Sequence, residues 1–147
     1  MVAGTYLLDT SALLAHYFGE PGADEVDRLW REPENKLVIS VLSIPEFKTR
    51  LALEVRNGKE AMRAFELYIN HLTASVPVSR PIAEEAARLR EAVSGRLPLV
   101  DAVIAATAKR ARWILVHRDP HMSLIPERLV AQLRLPDRRP DLSPSSG

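Results

Sequence analysis

Four carboxylates stand in comparable settings along a chain of 147 residues: Asp9, Glu46, Asp101 and Asp119. Asp9 follows the apolar run Thr5-Tyr6-Leu7-Leu8 and precedes Thr10-Ser11 and a helix-like Ala12-Leu13-Leu14-Ala15, while Asp119 follows Ile114-Leu115-Val116. Glu46 and Asp101 stand near the starts of helical runs. In an open parallel sheet, ligands bind beyond the carboxyl ends of the strands, where helix N-termini also point with their partial positive charge. Acids far apart in sequence can therefore gather at one edge. Gathered there, they repel one another, raise some of their pKa values and oppose folding unless a cation neutralises them. Carboxylates and water suit Mg²⁺ or Mn²⁺, and such an ion lowers the pKa of a bound water and stabilises charge on a phosphoryl oxygen. The chemistry favoured is hydrolysis of a phosphodiester by water.

Each acid taken singly also has a structural explanation, and a choice of four among 19 Asp and Glu residues proves little by itself. Ser43-Ile44-Pro45-Glu46 fits a capping box, in which the serine caps the third helical amide and the glutamate reaches back. On the residues alone, that cap is the favoured reading of Glu46. Asp101, three residues after Pro98, can complement a helix dipole, and Asp119 before Pro120 can start a turn. Ser11 reads equally as an ordinary helix cap.

The elements that must position these residues alternate short β-rich runs with longer helical ones, the pattern of a mainly parallel sheet covered by helices. Strands are expected near residues 4–8, 36–40, 75–78 and 113–116, with a weaker fifth around Leu129-Val130-Ala131. Helices are expected near 11–18, 23–31, 44–57, 59–72, 81–94 and 99–111, punctuated by Gly22, Pro33, Gly58 and Gly95. Helix 81–94 carries Ile82, Ala86, Leu89 and Val93 on one face, with Glu84, Glu85, Arg88 and Arg90 elsewhere, so one face is buried. The segment from Val100 to Ala108 is apolar nearly all round except at Asp101, which makes that acid the anomaly of a buried helix. A single domain over residues 1–135 is expected, followed by a loose Ser/Pro-rich tail over 136–147.

Composition narrows the function classes. The chain has no cysteine, which excludes disulfides, thiolate zinc sites and a cysteine nucleophile, so any metal binds through oxygen or imidazole. A net charge of +1 gives no general field for polyanions, so nucleic-acid binding needs local cations. Apolar runs are broken well short of the roughly 20 residues of a membrane span, and the N-terminus lacks the basic leader of a signal peptide. The expected compartment is the cytoplasm, with no membrane partner.

In order along the chain, LLDTSALLAHYFGEPGA, SVLSIPEFKTRLAL and LPLVDAVIAATAKRARWILVHRDPHMSLIP resemble the PIN-domain nucleases, specifically the VapC-type toxins of toxin–antitoxin pairs. The resemblance implies a three-layer α/β/α fold with a four- or five-stranded sheet and a Mg²⁺- or Mn²⁺-dependent endoribonuclease with an acidic quartet of Asp9, Glu46, Asp101 and Asp119. On that mapping Asp9 and Asp101 are direct metal ligands, Asp119 is a further or water-mediated ligand, and Glu46 positions the attacking water. Ser11 resembles the family's hydroxyl position, holding the carboxylates or a phosphate. RNA held at an acidic centre requires rim cations, for which Arg96, Arg110, Arg112 and Arg118 are candidates. The resemblance further implies a homodimer and inhibition by a small antitoxin covering the acidic site.

His117 departs from the pattern, because similar chains carry threonine or serine two residues before the fourth acid. Two other readings compete. An aspartate-nucleophile phosphatase of the haloacid-dehalogenase kind would need an acid at position 11, where Ser11 stands, and a late-strand lysine that is absent. A catalytically silent protein of the same fold, binding a partner without cutting, is opposed by the retention of all four acids.

Overall fold

A computed structural model describes residues 4–138. Five strands, β1 (Thr5–Leu8), β2 (Lys36–Ser40), β3 (Ala74–Val76), β4 (Ile114–His117) and β5 (Gln132–Arg134), form one sheet in the order β3-β2-β1-β4-β5. Every pairing is parallel, with Leu7 flanked by Val38 on one side and Leu115 on the other. The chain steps outward from β1 to β3, then returns to place β4 on the opposite side of β1. The β1–β4 junction is therefore the switch point of the topology, where loops diverge and leave a crevice.

Six helices cover the sheet: α1 (Thr10–Tyr17), α2 (Ala23–Arg31), α3 (Ser43–Glu54), α4 (Gly58–Glu66), α5 (Arg80–Ala92) and α6 (Leu99–Ala111). Because strand side chains alternate between faces, Leu7, Val38 and Leu115 pack with α5 and α6, while Leu8, Leu37, Ile39 and Val116 pack with α1 to α4. The result is the three-layer α/β/α architecture expected from the alternation of elements. None of the described helices is long and apolar enough to cross a membrane.

Four expectations need adjustment. Residues Leu67–Leu72, expected to complete a regular helix, widen into a π-helical segment, whose end is held by Thr73 Oγ1 donating to Tyr68 O at 2.7 Å and Trp30 Nε1 donating to Leu72 O at 2.8 Å. The fifth strand lies three residues later than expected, because Leu129 and Val130 turn back onto Pro126 O and Val130 is buried among the side chains of the α5/α6 layer. Glu85 is not on a solvent face: it is buried, with Oε1 3.2 Å from Lys109 Nζ and Oε2 2.9 Å from Arg88 Nε, and ties α5 to α6. The first residues of the expected tail also engage the domain, since Arg138 Nε lies 2.7 Å from Glu20 Oε2; residues 139–147 lie outside the described residues.

Gly22 starts α2 in a left-handed conformation (φ +98°), and a Cβ there would meet Leu135 Cβ at 2.9 Å. Gly19 is also left-handed (φ +62°) but opens onto free space. Gly22→Ala is therefore expected to cost about 2–3 kcal/mol and Gly19→Ala only about 1 kcal/mol, as urea unfolding would measure. Equal costs would show that the contact with Leu135 relaxes freely.

Candidate functional site

The crevice is built first by Asp9. Its N–H donates to Val116 O at 3.0 Å, carrying the β1–β4 pairing one step past the strand, and its extended backbone (φ −73°, ψ 161°) then turns into α1. Asp9 Oδ2 accepts the Ser11 N–H at 3.1 Å and the Ser11 hydroxyl at 2.7 Å, so the cap is the aspartate and not the serine. Ser11 Oγ in turn accepts the backbone N–H of Arg118 at 3.1 Å. One hydroxyl thus spans the crevice from the exit of β1 to the exit of β4. Both capacities of Ser11 are spent on holding Asp9 and its neighbouring loop, leaving a phosphate contact the weaker of its two expected roles.

Asp119 forms the turn that Asp119-Pro120 suggested, its Oδ1 accepting the N–H groups of His121 at 2.7 Å and Met122 at 3.1 Å. Behind it His117 is fully buried, with Nδ1 accepting the Asp119 N–H at 3.0 Å. A ring nitrogen that accepts carries no proton, so Nε2 bears it and donates to Gln132 Oε1 at 2.8 Å. The Gln132 amide is oriented by its own donation to Ile125 O at 2.8 Å and Val130 O at 3.3 Å. His117 therefore holds the Asp119 backbone from behind, and with both nitrogens committed it is not placed as a general base.

Glu46 lies in the first turn of α3, but the capping box does not form. Leu42 occupies the cap position without a side-chain bond, Ser43 is the first helical residue, and its buried Oγ has no hydrogen-bond partner among the described residues. Ser40 Oγ accepting Leu42 N–H at 3.1 Å and Val41 O accepting Ile44 N–H at 3.2 Å make the entry instead. The structural explanation favoured for Glu46 is thereby removed. Asp101 sits in the first turn of α6, partly buried, where the helix N-terminus complements its charge.

The four acids share one electrostatic field. Burial, then Asp119, Asp9 and Glu46, push the Asp101 carboxyl up to about 7, and in its protonated form it reaches Asp119 in a hydrogen bond. Glu46 is raised by burial, then by Asp9 and Asp119, against an opposing Arg50. Asp9 is raised by burial despite the Ser11 bonds, with Asp119 adding to the rise. Residues from four separate elements thus converge at the switch point. The donor set, carboxylate oxygens in excess of neutralising cations, fits a hard divalent ion.

His121 is the member that a search for acids overlooks. Its Nδ1 lies 3.6 Å from Asp119 Oδ1 and 3.8 Å from Asp101 Oδ2, and one donor atom from each of Asp101, Asp119 and His121 falls within 4.8 Å of the others. Its position in the turn, two residues after Asp119, was the available signal.

The expected rim cations divide. Arg96 is exposed in the loop before α6, on the same edge as Asp101. Arg118 is held by the protein: its side chain is 9% exposed and Nη2 binds Glu20 Oε1 at 2.7 Å, while the buried Nη1 has no hydrogen-bond partner among the described residues. Arg110 and Arg112 are corrected as rim cations, because they lie at the C-terminal end of α6 before β4 starts, at the opposite edge of the sheet. Away from the acids, a cleft of about 790 Å³ runs between α3 and α4, lined by Leu51, Val55, Met62 and Phe65 with Lys48 and Arg63 beside them.

Residues 6–127 match the family model described as PIN domain. Among solved structures, the chain is similar to VapBC2 from Rickettsia felis, crystallised bound to a DNA fragment from its promoter (15% identity, 90% of this chain and 99% of that one, TM-score 0.69). It is also similar to a toxin–antitoxin complex from Klebsiella pneumoniae (25% identity, 82% and 92% covered, TM-score 0.62). A third similar structure is VapC20 from Mycobacterium tuberculosis, described as a sarcin-ricin loop cleaving toxin (17% identity, 88% and 98% covered, TM-score 0.65). No curated protein sequence matches the chain.

The raised acids carry a consequence for stability. A carboxyl near 7 when folded and near 4 when unfolded keeps its proton between those values in the folded chain alone, so the stability it contributes is fully present below about pH 4 and lost as pH rises from there to about 7. In EDTA, Asp101→Asn is expected to stabilise the protein by about 1–2 kcal/mol at pH 7.5, with the difference closing near pH 4 in urea titrations. A variant no more stable than wild type at pH 7.5 would show that the charge of Asp101 is compensated within the protein.

Proposed function

The chain belongs to the PIN domain family, and from that premise we propose that it is a Mg²⁺- or Mn²⁺-dependent endoribonuclease, the toxin of a VapC-type toxin–antitoxin pair. The observation that carries the reading is geometric: Asp101 and Asp119, with His121 beside them, offer donor atoms within 4.8 Å of one another at the switch point, where Asp9 and Glu46 share their electrostatic field. Such a field is costly in a protein that leaves it unneutralised, and it suits one that binds a divalent cation. Asp9, Asp101 and Asp119 are the residues that would hold the ion. When bound, it supplies positive charge that lowers the pKa of water and offsets charge developing on a phosphoryl oxygen.

The remaining work falls to the chain's own groups. Glu46, free of the capping role, is suited to orient the attacking water. Ser11 keeps Asp9 Oδ2 turned into the crevice, and His117 and the Asp119 turn fix the last acid. Arg96, on the acidic edge, is the rim cation best placed to hold an RNA phosphate.

RNA as substrate is supported by the fold shared with the sarcin-ricin loop cleaving toxin. A cognate antitoxin is supported by the toxin–antitoxin complex of similar structure and by the α3/α4 cleft, an apolar surface suited to a protein partner. Homodimerisation is part of the same proposal. Co-purification with the product of an adjacent gene tests the pairing, and a chain that neither arrests growth nor binds such a product overturns it.

Cleavage of RNA by the purified chain is expected with Mg²⁺ or Mn²⁺ and not with EDTA. Asp9→Asn and Asp101→Asn should each reduce it at least about a hundredfold while leaving the circular dichroism spectrum unchanged. Glu46→Gln should lose a similar factor with little change in melting temperature, since the side chain caps nothing. Equal cleavage by wild type and all three variants, with contaminating nuclease excluded, would reject the assignment; stable wild-type protein without cleavage would favour the non-cutting interaction protein.

A further inference from the structure

We propose that His121 is a ligand of the divalent cation through Nδ1, beside Asp101 and Asp119, and that it biases the site towards Mn²⁺ over Mg²⁺. The proposal rests on the metal-dependent reading above and adds a nitrogen donor to its carboxylates.

Geometry places the ring at the site. Nδ1 stands 3.6 Å from Asp119 Oδ1 and 3.8 Å from Asp101 Oδ2, and one donor atom from each residue lies within 4.8 Å of the other two. Neighbouring ligands about 2.1–2.2 Å from an octahedral ion lie about 3 Å apart, and opposite ones about 4.2 Å. The observed spread is that of donors around one ion after small side-chain rotations. Both separations exceed a hydrogen bond, so the ring nitrogen faces the carboxylates at ion-pair distance without donating to either. The residue is also tethered to the cluster, because its backbone N–H donates to Asp119 Oδ1 at 2.7 Å. Its exposed ring can make the small approach without disturbing the core.

The other histidines are otherwise occupied. His16 binds the Tyr68 hydroxyl at 2.6 Å and Asp27 at 3.1 Å, and both nitrogens of His117 are committed to the Asp119 N–H and Gln132. His71 lies in the π-helical segment, 3.8 Å from Glu66 and away from the acids. Among the described residues, His121 is therefore the imidazole that can enter the coordination sphere. Imidazole adds little for Mg²⁺, which prefers oxygen and retains its water, and more for the later divalent ions. A nitrogen in an otherwise all-oxygen set shifts the balance towards Mn²⁺.

The test is metal binding by the full chain, free of any affinity tag and stripped with EDTA. Mn²⁺ is titrated by the loss of its free-ion electron paramagnetic resonance signal, Mg²⁺ by competition, and the bound ion is examined by pulsed methods for coupling to ¹⁴N. Wild type is expected to show a directly bound nitrogen. His121→Ala and His121→Gln should lose that coupling and weaken Mn²⁺ about tenfold, with Mg²⁺ changed less than about threefold. Mn²⁺ bound without nitrogen coupling in wild type, or coupling that survives both substitutions, overturns the ligand assignment while leaving the carboxylate site and RNA cleavage intact. Absence of any Mn²⁺ binding by wild type overturns the metal-dependent reading as well.

Discussion

Repulsion among carboxylates in a partly dehydrated crevice is the constraint around which this molecule is organised. Asp9, Glu46, Asp101 and Asp119 come from four elements, and each of the three shifted acids is raised by burial and by at least one of the others. Left to themselves such groups would splay apart or draw in water. They are held because their neighbours fix them locally: Asp9 as the cap of α1, Asp119 as the acceptor of a turn, Asp101 and Glu46 in first helical turns that favour negative charge. Local structure thus supplies positions that electrostatics alone would reject, and a divalent cation is the charge such an arrangement accommodates.

The loop after β4 shows how closely the supports are spaced. From His117 to His121, each residue but Pro120 is tied to Gln132, to Ser11 and Glu20, or to another of the run. Arg118 belongs to this framework. Its guanidinium pairs with Glu20, which also receives Arg138, so the last described residues are fastened to the loop between α1 and α2 close to the acids. A largely covered arginine with a strong acceptor contributes more to holding a loop than to capturing substrate at the rim of the crevice. Arg96 stands out there because Arg110 and Arg112 end up at the other edge of the sheet.

Parallel topology explains why the site lies where it does. With order β3-β2-β1-β4-β5, the loops leaving β1 and β4 diverge, and the opening between them receives the N-terminal turns of α1, α3 and α6. Membership of the PIN domain family agrees with this arrangement. The α3/α4 cleft is a separate surface, and none of the four acids lines it.

Local pattern was enough to read the alternation of strands and helices, the positions of Asp9, Asp101 and Asp119 at strand or helix ends, and the buried character of α6, because each depends on residues a few positions apart. The family motifs added the proposed grouping of the four acids. Pattern failed where distant contacts decide. The serine and glutamate of Ser43-Ile44-Pro45-Glu46 have the spacing of a capping box, but bonds made by Ser40 and Val41 at the end of β2 set how the chain enters α3. Leu129 to Ala131 has strand-like residues, yet burying Val130 against the α5/α6 layer moves the pairing to Gln132–Arg134. Arg118 looks like any exposed cation until Glu20, 98 residues earlier, is brought beside it. Chain order alone therefore determined the elements and the candidate acids. Tertiary structure decided which charges face one another, which cations are paired and that Asp101 comes within reach of Asp119 and His121, because those outcomes depend on distances across the switch point that no local spacing encodes.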